Sequence, residues 1–189
     1  MNRVCEQIVQ WNANGLQIKV AVNISAVDFH SAEFVDVVNS AIERTQVDAS
    51  LRELEVTEGV LIKDVSTVAD KMRSLKKSGL TISIDDFGTG YSSLAYIRSL
   101  PIDKLKIDRE FVKGIPYQDD GTIASSIILL AKSLGFEVLA EGVETEAQLD
   151  YLRERECEQY QGYFACKPIS ATELLEYAVD ANNLLQLTF

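Results

Sequence analysis

The chain has 189 residues, of which 47% are apolar and 25% charged, an ordinary composition for one globular domain with its own core. Its 18 basic and 29 acidic residues give a formal net charge of -11, which argues against the phosphate-neutralising surface that non-specific binding to duplex DNA needs. There is no apolar stretch of about 18 residues, the length of a membrane span, and no signal-peptide pattern at the start, so we expect a cytoplasmic protein.

The chain opens in a helical pattern, because apolar residues recur at three and four spacing from Met1 to Val9. Asn12 to Gly15 predicts the end of that helix. Short runs of β-branched residues then alternate with amphipathic helices along the chain. The tail 182–189 is predicted to be the end of the last helix. The predicted strands are residues 16–22, 52–57, 80–85, 104–108, 136–141 and 159–164. Two helix stops and two capping boxes punctuate this pattern: Ser78-Gly79, Leu134-Gly135, Thr145-x-x-Gln148 and Ser170-x-x-Glu173.

Strands that alternate with helices predict an α/β fold with a parallel sheet, either an open doubly wound sheet or a closed (β/α)₈ barrel. A barrel typically takes about 250 residues and eight strands. Six strands in a chain that starts inside a helix favour an incomplete barrel of the TIM type, with its two N-terminal strands missing. We therefore expect residues 1–189 to be one domain, truncated at its N-terminus.

The predicted strand ends are unusually polar. In parallel α/β folds the active site lies at the carboxyl ends of the strands, where these side chains would gather. Strand alternation turns Glu55, Lys106, Asp108 and Glu141 towards the barrel axis. The polar residues at the strand ends are Asn23, Glu55, Asp85, Asp86, Lys106, Asp108 and Glu141.

Such a group of carboxylates repels itself unless it is neutralised, and divalent cations are its natural counter-charge. Oxygen ligands suit Mg²⁺ or Mn²⁺, and two metals about 3.5–4 Å apart are a common device for hydrolysing phosphate esters. Each carboxylate alone would be read as a solvated side chain at the start of a loop. Lys106 could instead be the Schiff-base lysine of an aldolase-like barrel, although its acidic neighbours Asp103 and Asp108 favour a charged lysine.

Six sequence strings occur in order along the chain: VNxS at 22–25, ExTE at 55–58, DDFGTGYSSL at 85–94, LPxDxLKID at 100–108, AEGVET at 140–145 and QGY at 161–163. Together they resemble the EAL family of cyclic di-GMP phosphodiesterases, over essentially the whole chain. The resemblance implies a modified (β/α)₈ barrel that serves bacterial second-messenger signalling. It also implies hydrolysis of cyclic di-GMP to linear pGpG by in-line attack of water, with two Mg²⁺ or Mn²⁺ ions.

The resemblance also assigns roles to individual residues. It implies metal ligands at Asn23, Glu55, Asp85, Asp86 and Glu141, with Asp85 bridging both ions. Lys106 matches the residue that holds the attacking water, Gln161 one that orients its neighbours, and Asp108 an acid near the second metal. Glu58 and Glu144 match glutamates that steady a mobile loop, which couples the site to homodimerisation. That loop follows Asp86 through Phe87, Gly88, Thr89, Gly90, Tyr91, Ser92 and Ser93.

One departure from the family pattern matters most. The name motif, Glu-Ala-Leu followed shortly by Arg, has no counterpart in residues 1–22. In the family that Glu is a metal ligand and that Arg helps to hold the substrate. We therefore expect the intact domain to be an enzyme and residues 1–189 alone to be inactive. The alternatives are a catalytically silent cyclic di-GMP receptor or a protein-interaction module, and an upstream sensor or diguanylate-cyclase-like domain would be a natural partner.

Overall fold

The structure is a computed structural model, and it describes residues 1–61, 64–90 and 97–179. The loop positions Tyr91, Ser92 and Ser93 and the tail 182–189 lie outside these residues. The strands are β1 Val20–Ile24, β2 Arg52–Thr57, β3 Thr81–Phe87, β4 Lys104–Ile107, β5 Glu137–Glu141 and β6 Gln159–Gln161. The helices are α1 Asn2–Ala13, α2 Ala26–His30, α3 Phe34–Thr45, α4 Val65–Lys77, α5 Thr122–Leu134, α6 Glu146–Glu154 and α7 Ala171–Val179.

The predicted α/β class is confirmed, and the six strands follow one another in chain order in the sheet. The predicted strand boundaries differ from the observed ones by at most two residues, except at the start of the first strand and the end of the last, which were wrong by more. The first strand begins at Val20 rather than at residue 16, because the Leu16 amide donates to the Trp11 carbonyl at the end of α1. The last strand ends at Gln161 rather than at residue 164, because the Phe164 amide donates to the Val143 carbonyl and turns the chain over the preceding loop.

The helix punctuation follows the predicted signals. Ser78 is the C-cap of α4, and Gly135 closes α5 in the left-handed conformation that glycine adopts without steric cost. Thr145 and Gln148 form a complete capping box at the start of α6. Ser170 and Glu173 exchange the corresponding pair of hydrogen bonds before α7. No helix among the described residues combines the length and apolar character that a membrane crossing requires.

The chain divides into two compact units, the first made of residues 1–84 and 90–103 and the second of residues 85–89 and Lys104 onwards. In the first unit, β1 and β2 are parallel, in a register that pairs Asn23 with Glu55. Leu54 and Val56 are fully buried on the helix-facing side of β2. Helix α3 packs against both α1 and α4. Met72 and Leu75 of α4 are also fully buried.

In the second unit, β5 lies parallel to both β4 and β6. Leu105 and Ile107 of β4 are fully buried, as are Val138 and Ala140 of β5. Helix α5 packs against these two strands through an apolar face that includes Ala124, Ile128 and Ala131. Because strand side chains alternate, the polar residues of β4 and β5 must occupy the opposite side of the sheet.

Candidate metal centre

Three carboxylates meet at the strand ends of the second unit. Asp85, Asp86 and Glu141 each place an oxygen within 4.8 Å of the others. The Lys106 ammonium lies 2.9 Å from an oxygen of Asp85 and 2.7 Å from one of Glu141. The three carboxylates supply hard oxygen donors, which are the ligands that Mg²⁺ and Mn²⁺ prefer. The arrangement therefore fits a divalent cation.

Strand alternation explains how Lys106 and Glu141 come together. On β4 the fully buried Leu105 and Ile107 face the helices, which leaves Lys106 on the other side of the sheet. On β5 the buried Ala140 leaves Glu141 on that same side, as the last residue of the strand. The Lys106 side chain is only 3% exposed, so its charge is enclosed by the carboxylates that it contacts.

Asp86 joins the group because its backbone leaves the strand conformation. Consecutive strand residues point to opposite faces, so Asp85 and Asp86 could not both reach one site from a regular strand. Asp86 has a φ of 53°, in the left-handed region that aspartate tolerates better than most residues. Backbone strain of this kind concentrates at functional sites. Here it lets two adjacent carboxylates contribute to the same cluster.

The cluster is electrostatically strained in the absence of a cation. Burial raises the pKa of Asp86 from 3.8 to about 6, with further contributions from a hydrogen bond with Asp108 and from the charge of Asp85. Asp108 is itself fixed, because its carboxylate accepts from the Glu110 amide at 2.6 Å and begins the 3-10 turn Arg109–Phe111. A positive ion at the cluster would offset the repulsion among these carboxylates and lower the pKa of Asp86.

The loop after Asp86 packs closely on the same unit. Gly88 has a φ of +98°, and a Cβ atom there would lie 3.0 Å from the Phe111 ring and 3.1 Å from Ile127. The Thr89 hydroxyl donates to the Asp86 carbonyl at 2.8 Å. A side chain at position 88 would therefore push this loop away from Phe111. Phe87, also in the predicted loop, is buried at the end of β3.

Two other predicted site residues border Glu141. Gln161 is the register partner of Glu141 across β5 and β6, and its carbonyl accepts from the Val143 amide at 3.1 Å. The Glu144 side chain is exposed, whereas its amide donates to Gln148 at 2.8 Å. These bonds fix the backbone of the loop that follows Glu141.

The remaining predicted residues belong to the first unit. Asn23 and Glu55 are register partners at the ends of β1 and β2, where Glu55 is 7% exposed and Asn23 is exposed. Glu58 is also buried, and its carboxylate accepts from the Gly90 amide at 3.2 Å. A Cβ atom at Gly90 would lie 2.8 Å from the Glu58 carboxyl carbon, so glycine is needed for this contact.

One contact of the second unit was not predicted from the sequence. A Cβ atom at Gly142, whose φ is +69°, would lie only 2.5 Å from the Cβ of Arg109. Gly142, which directly follows β5, thus allows Arg109 to approach it closely. The only sequence signal for this contact is a glycine placed directly after a strand, which is typical of close backbone approach.

The EAL domain family model matches residues 1–168. Cyclic di-GMP phosphodiesterase NbdA from Pseudomonas aeruginosa is 43% identical over 179 residues, which are 94% of this chain but 23% of NbdA. The solved structure of the PaMucR phosphodiesterase in complex with c-di-GMP superposes with a TM-score of 0.87 at 39% identity, covering 92% of this chain and 71% of that one. The EAL domain of Mycobacterium smegmatis DcpA gives a TM-score of 0.89 at 34% identity, covering 96% and 82%.

Proposed function

The chain belongs to the EAL domain family, and from this we propose that the protein hydrolyses one phosphodiester bond of cyclic di-GMP to give linear pGpG. The observation that carries the proposal is the set of Asp85, Asp86 and Glu141 around Lys106, at the positions that the family motifs name. The relative NbdA is named a cyclic di-GMP phosphodiesterase, and this chain spans 23% of its length.

EAL domains are metal-dependent, and the carboxylate set fits Mg²⁺ or Mn²⁺ by its donor chemistry and close spacing. We propose that Asp85, Asp86 and Glu141 hold the two ions that the family resemblance implies. Asn23 and Glu55 as additional ligands stay a prediction. When bound, such ions act as a Lewis acid and lower the pKa of a bound water.

The chain's own residues would then orient the reaction. The Lys106 ammonium contacts Asp85 and Glu141 at once, which keeps both carboxylates in one geometry and places a positive charge beside the site of the attacking water. Asp108 lies close enough to Asp86 to raise its pKa, and the Glu110 amide, which donates to the Asp108 carboxylate, holds Asp108 in place beside the site. Gln161 would support Glu141 from the neighbouring strand. Dimerisation through the loop after Asp86 stays a prediction.

The test is pGpG production by the full-length protein with Mn²⁺, followed by chromatography. Asp85→Asn should lower turnover by at least about a hundredfold, because a lost metal ligand removes several kcal/mol of transition-state stabilisation. Its circular dichroism should be unchanged, since the substitution opens no core cavity. Asp150→Asn is the matched control, because Asp150 is an exposed acid on α6 whose side chain is 63% accessible.

The outcomes separate the two function classes. Unchanged Mn²⁺-dependent turnover in Asp85→Asn would refute the metal assignment. If the unsubstituted protein binds cyclic di-GMP in Ca²⁺ by titration calorimetry but releases no pGpG in Mn²⁺, it is a receptor. If it neither binds nor cleaves, the protein-interaction alternative replaces both readings.

A further inference from the structure

Among the residues that the structure describes, Lys106 is the basic side chain that contacts the carboxylate cluster. Asp85, Asp86, Asp108 and Glu141 are acidic, and Lys106 is the basic residue in contact with them. The Lys106 side chain is 3% exposed, and its ammonium is already shared between two carboxylates. The ions proposed above would neutralise the carboxylates, and a basic side chain at the rim would add a further cation that attracts the anionic substrate.

Arg109 lies at the place where such a cation would be useful. It directly follows Asp108, and its Cβ occupies the space beside Gly142, which directly follows Glu141. A Cβ atom at Gly142 would come within 2.5 Å of the Arg109 Cβ and 3.3 Å of its Cα. The backbone of residue 109 is thus packed against the end of β5, next to two members of the cluster.

The Arg109 backbone is fixed while its side chain stays available. Its carbonyl accepts from the Val112 amide at 3.0 Å and the Lys113 amide at 2.9 Å, within the turn that Asp108 begins. The side chain is exposed. Within residues 1–61, 64–90 and 97–179, its guanidinium forms no hydrogen bond or ion pair. By contrast, Arg73 and Arg153 are each paired with an aspartate three residues earlier on their helices.

We propose that Arg109 binds a phosphodiester group of the substrate, an inference that rests on the proposed phosphodiesterase function. A guanidinium has a planar fork of N–H donors that matches phosphate oxygens and remains charged at every working pH. The fixed backbone reduces the conformational entropy lost when the side chain engages the anion. Arg109 would act on substrate affinity, because it contributes no ligand atom to the metal cluster.

The experiment compares Arg109→Ala and Arg109→Lys with Arg153→Ala in the full-length protein. Loss of a charge-assisted hydrogen bond should raise KM for cyclic di-GMP about tenfold in Arg109→Ala and leave kcat within about twofold. The Kd for cyclic di-GMP in Ca²⁺ should rise by the same factor. Arg109→Lys should recover part of the loss, and Arg153→Ala should match the unsubstituted protein. Mn²⁺ affinity should not fall in any variant.

Three results would overturn the inference. The first is an unchanged KM in Arg109→Ala while the unsubstituted protein cleaves normally, which would leave the proposed function intact. The second is an equal rise in Arg153→Ala, which would show a general effect of net charge. The third is a parallel loss of Mn²⁺ affinity in Arg109→Ala, which would mean that Arg109 acts through the metal ligands. If the unsubstituted protein shows no binding or turnover, the proposed function itself fails.

Discussion

Replacing Arg52 by methionine should stabilise the folded chain. The Arg52 side chain is fully buried in the helix-facing row of β2, beside the equally buried Leu54 and Val56. One of its terminal nitrogens donates to the Cys5 sulfur at 3.0 Å. Its Nε and other terminal nitrogen have no hydrogen-bond partner among the described residues. A buried charge with no salt bridge among the described residues costs several kcal/mol after relaxation, although, together with hydrogen bonds to Asp48, the Arg52 charge also helps to lower the pKa of the Asp48 carboxyl.

The expected gain follows from this geometry. Exchange of a buried ionic group for an apolar one of similar length is often neutral or stabilising by about 1–4 kcal/mol. Methionine is flexible enough to fill the irregular space that the guanidinium leaves. The Thr81 hydroxyl donates to the Arg52 carbonyl, a backbone contact that the substitution preserves. We therefore expect Arg52→Met to raise the free energy of unfolding by about 1–3 kcal/mol.

The assay is urea unfolding of the 189-residue chain, monitored by circular dichroism. Arg73→Met is the matched control, because Arg73 is half-exposed and pairs with Asp70 on its own helix. That control should change the free energy of unfolding by no more than about 0.5 kcal/mol. A loss of 1 kcal/mol or more in Arg52→Met, with a neutral control, would show that the Cys5 sulfur and its surroundings stabilise the buried charge.

Two further predictions concern the second unit. Because Asp86 has a pKa of about 6 without metal, against 3.8 ordinarily, a bound cation must displace its proton at low pH. Mn²⁺ affinity should then fall about tenfold per unit below pH 6, and metal-free stability should decrease as pH rises from about 4 to 6. Titration calorimetry with Mn²⁺ at several pH values checks this assignment of the pH dependence to Asp86. In Asp86→Asn, the part of the pH dependence that comes from Asp86 should be lost. Gly142→Ala should raise KM as Arg109→Ala does, because its Cβ would displace Arg109; normal substrate affinity in that variant would contradict the contact.

The strands that the sequence predicts most closely are those with residues buried on the helix-facing side. β2 occupies the predicted range 52–57, and β4 and β5 differ from theirs by one residue. Their alternating apolar residues leave one orientation that buries Leu54, Leu105 or Val138. The start of β1 and the end of β6 were predicted wrongly because local hydrogen bonds at Leu16 and Phe164 compete with the sheet. The β-propensity of a short stretch of sequence does not include the hydrogen-bond partners of Leu16 and Phe164.

The candidate metal centre also has a part that the sequence predicts and a part that it does not. Lys106 and Glu141 share a face because two strands alternate in register, a relation that is already present in their sequence positions. Asp86 breaks that rule, since alternation allows only one of two adjacent acids to face the cluster. Its left-handed φ of 53° resolves the conflict. If two consecutive aspartates are to bind one ion, the backbone between them must leave the β conformation. Two aspartates at the end of a buried strand, with Gly88 two residues later, therefore indicate a distorted strand end.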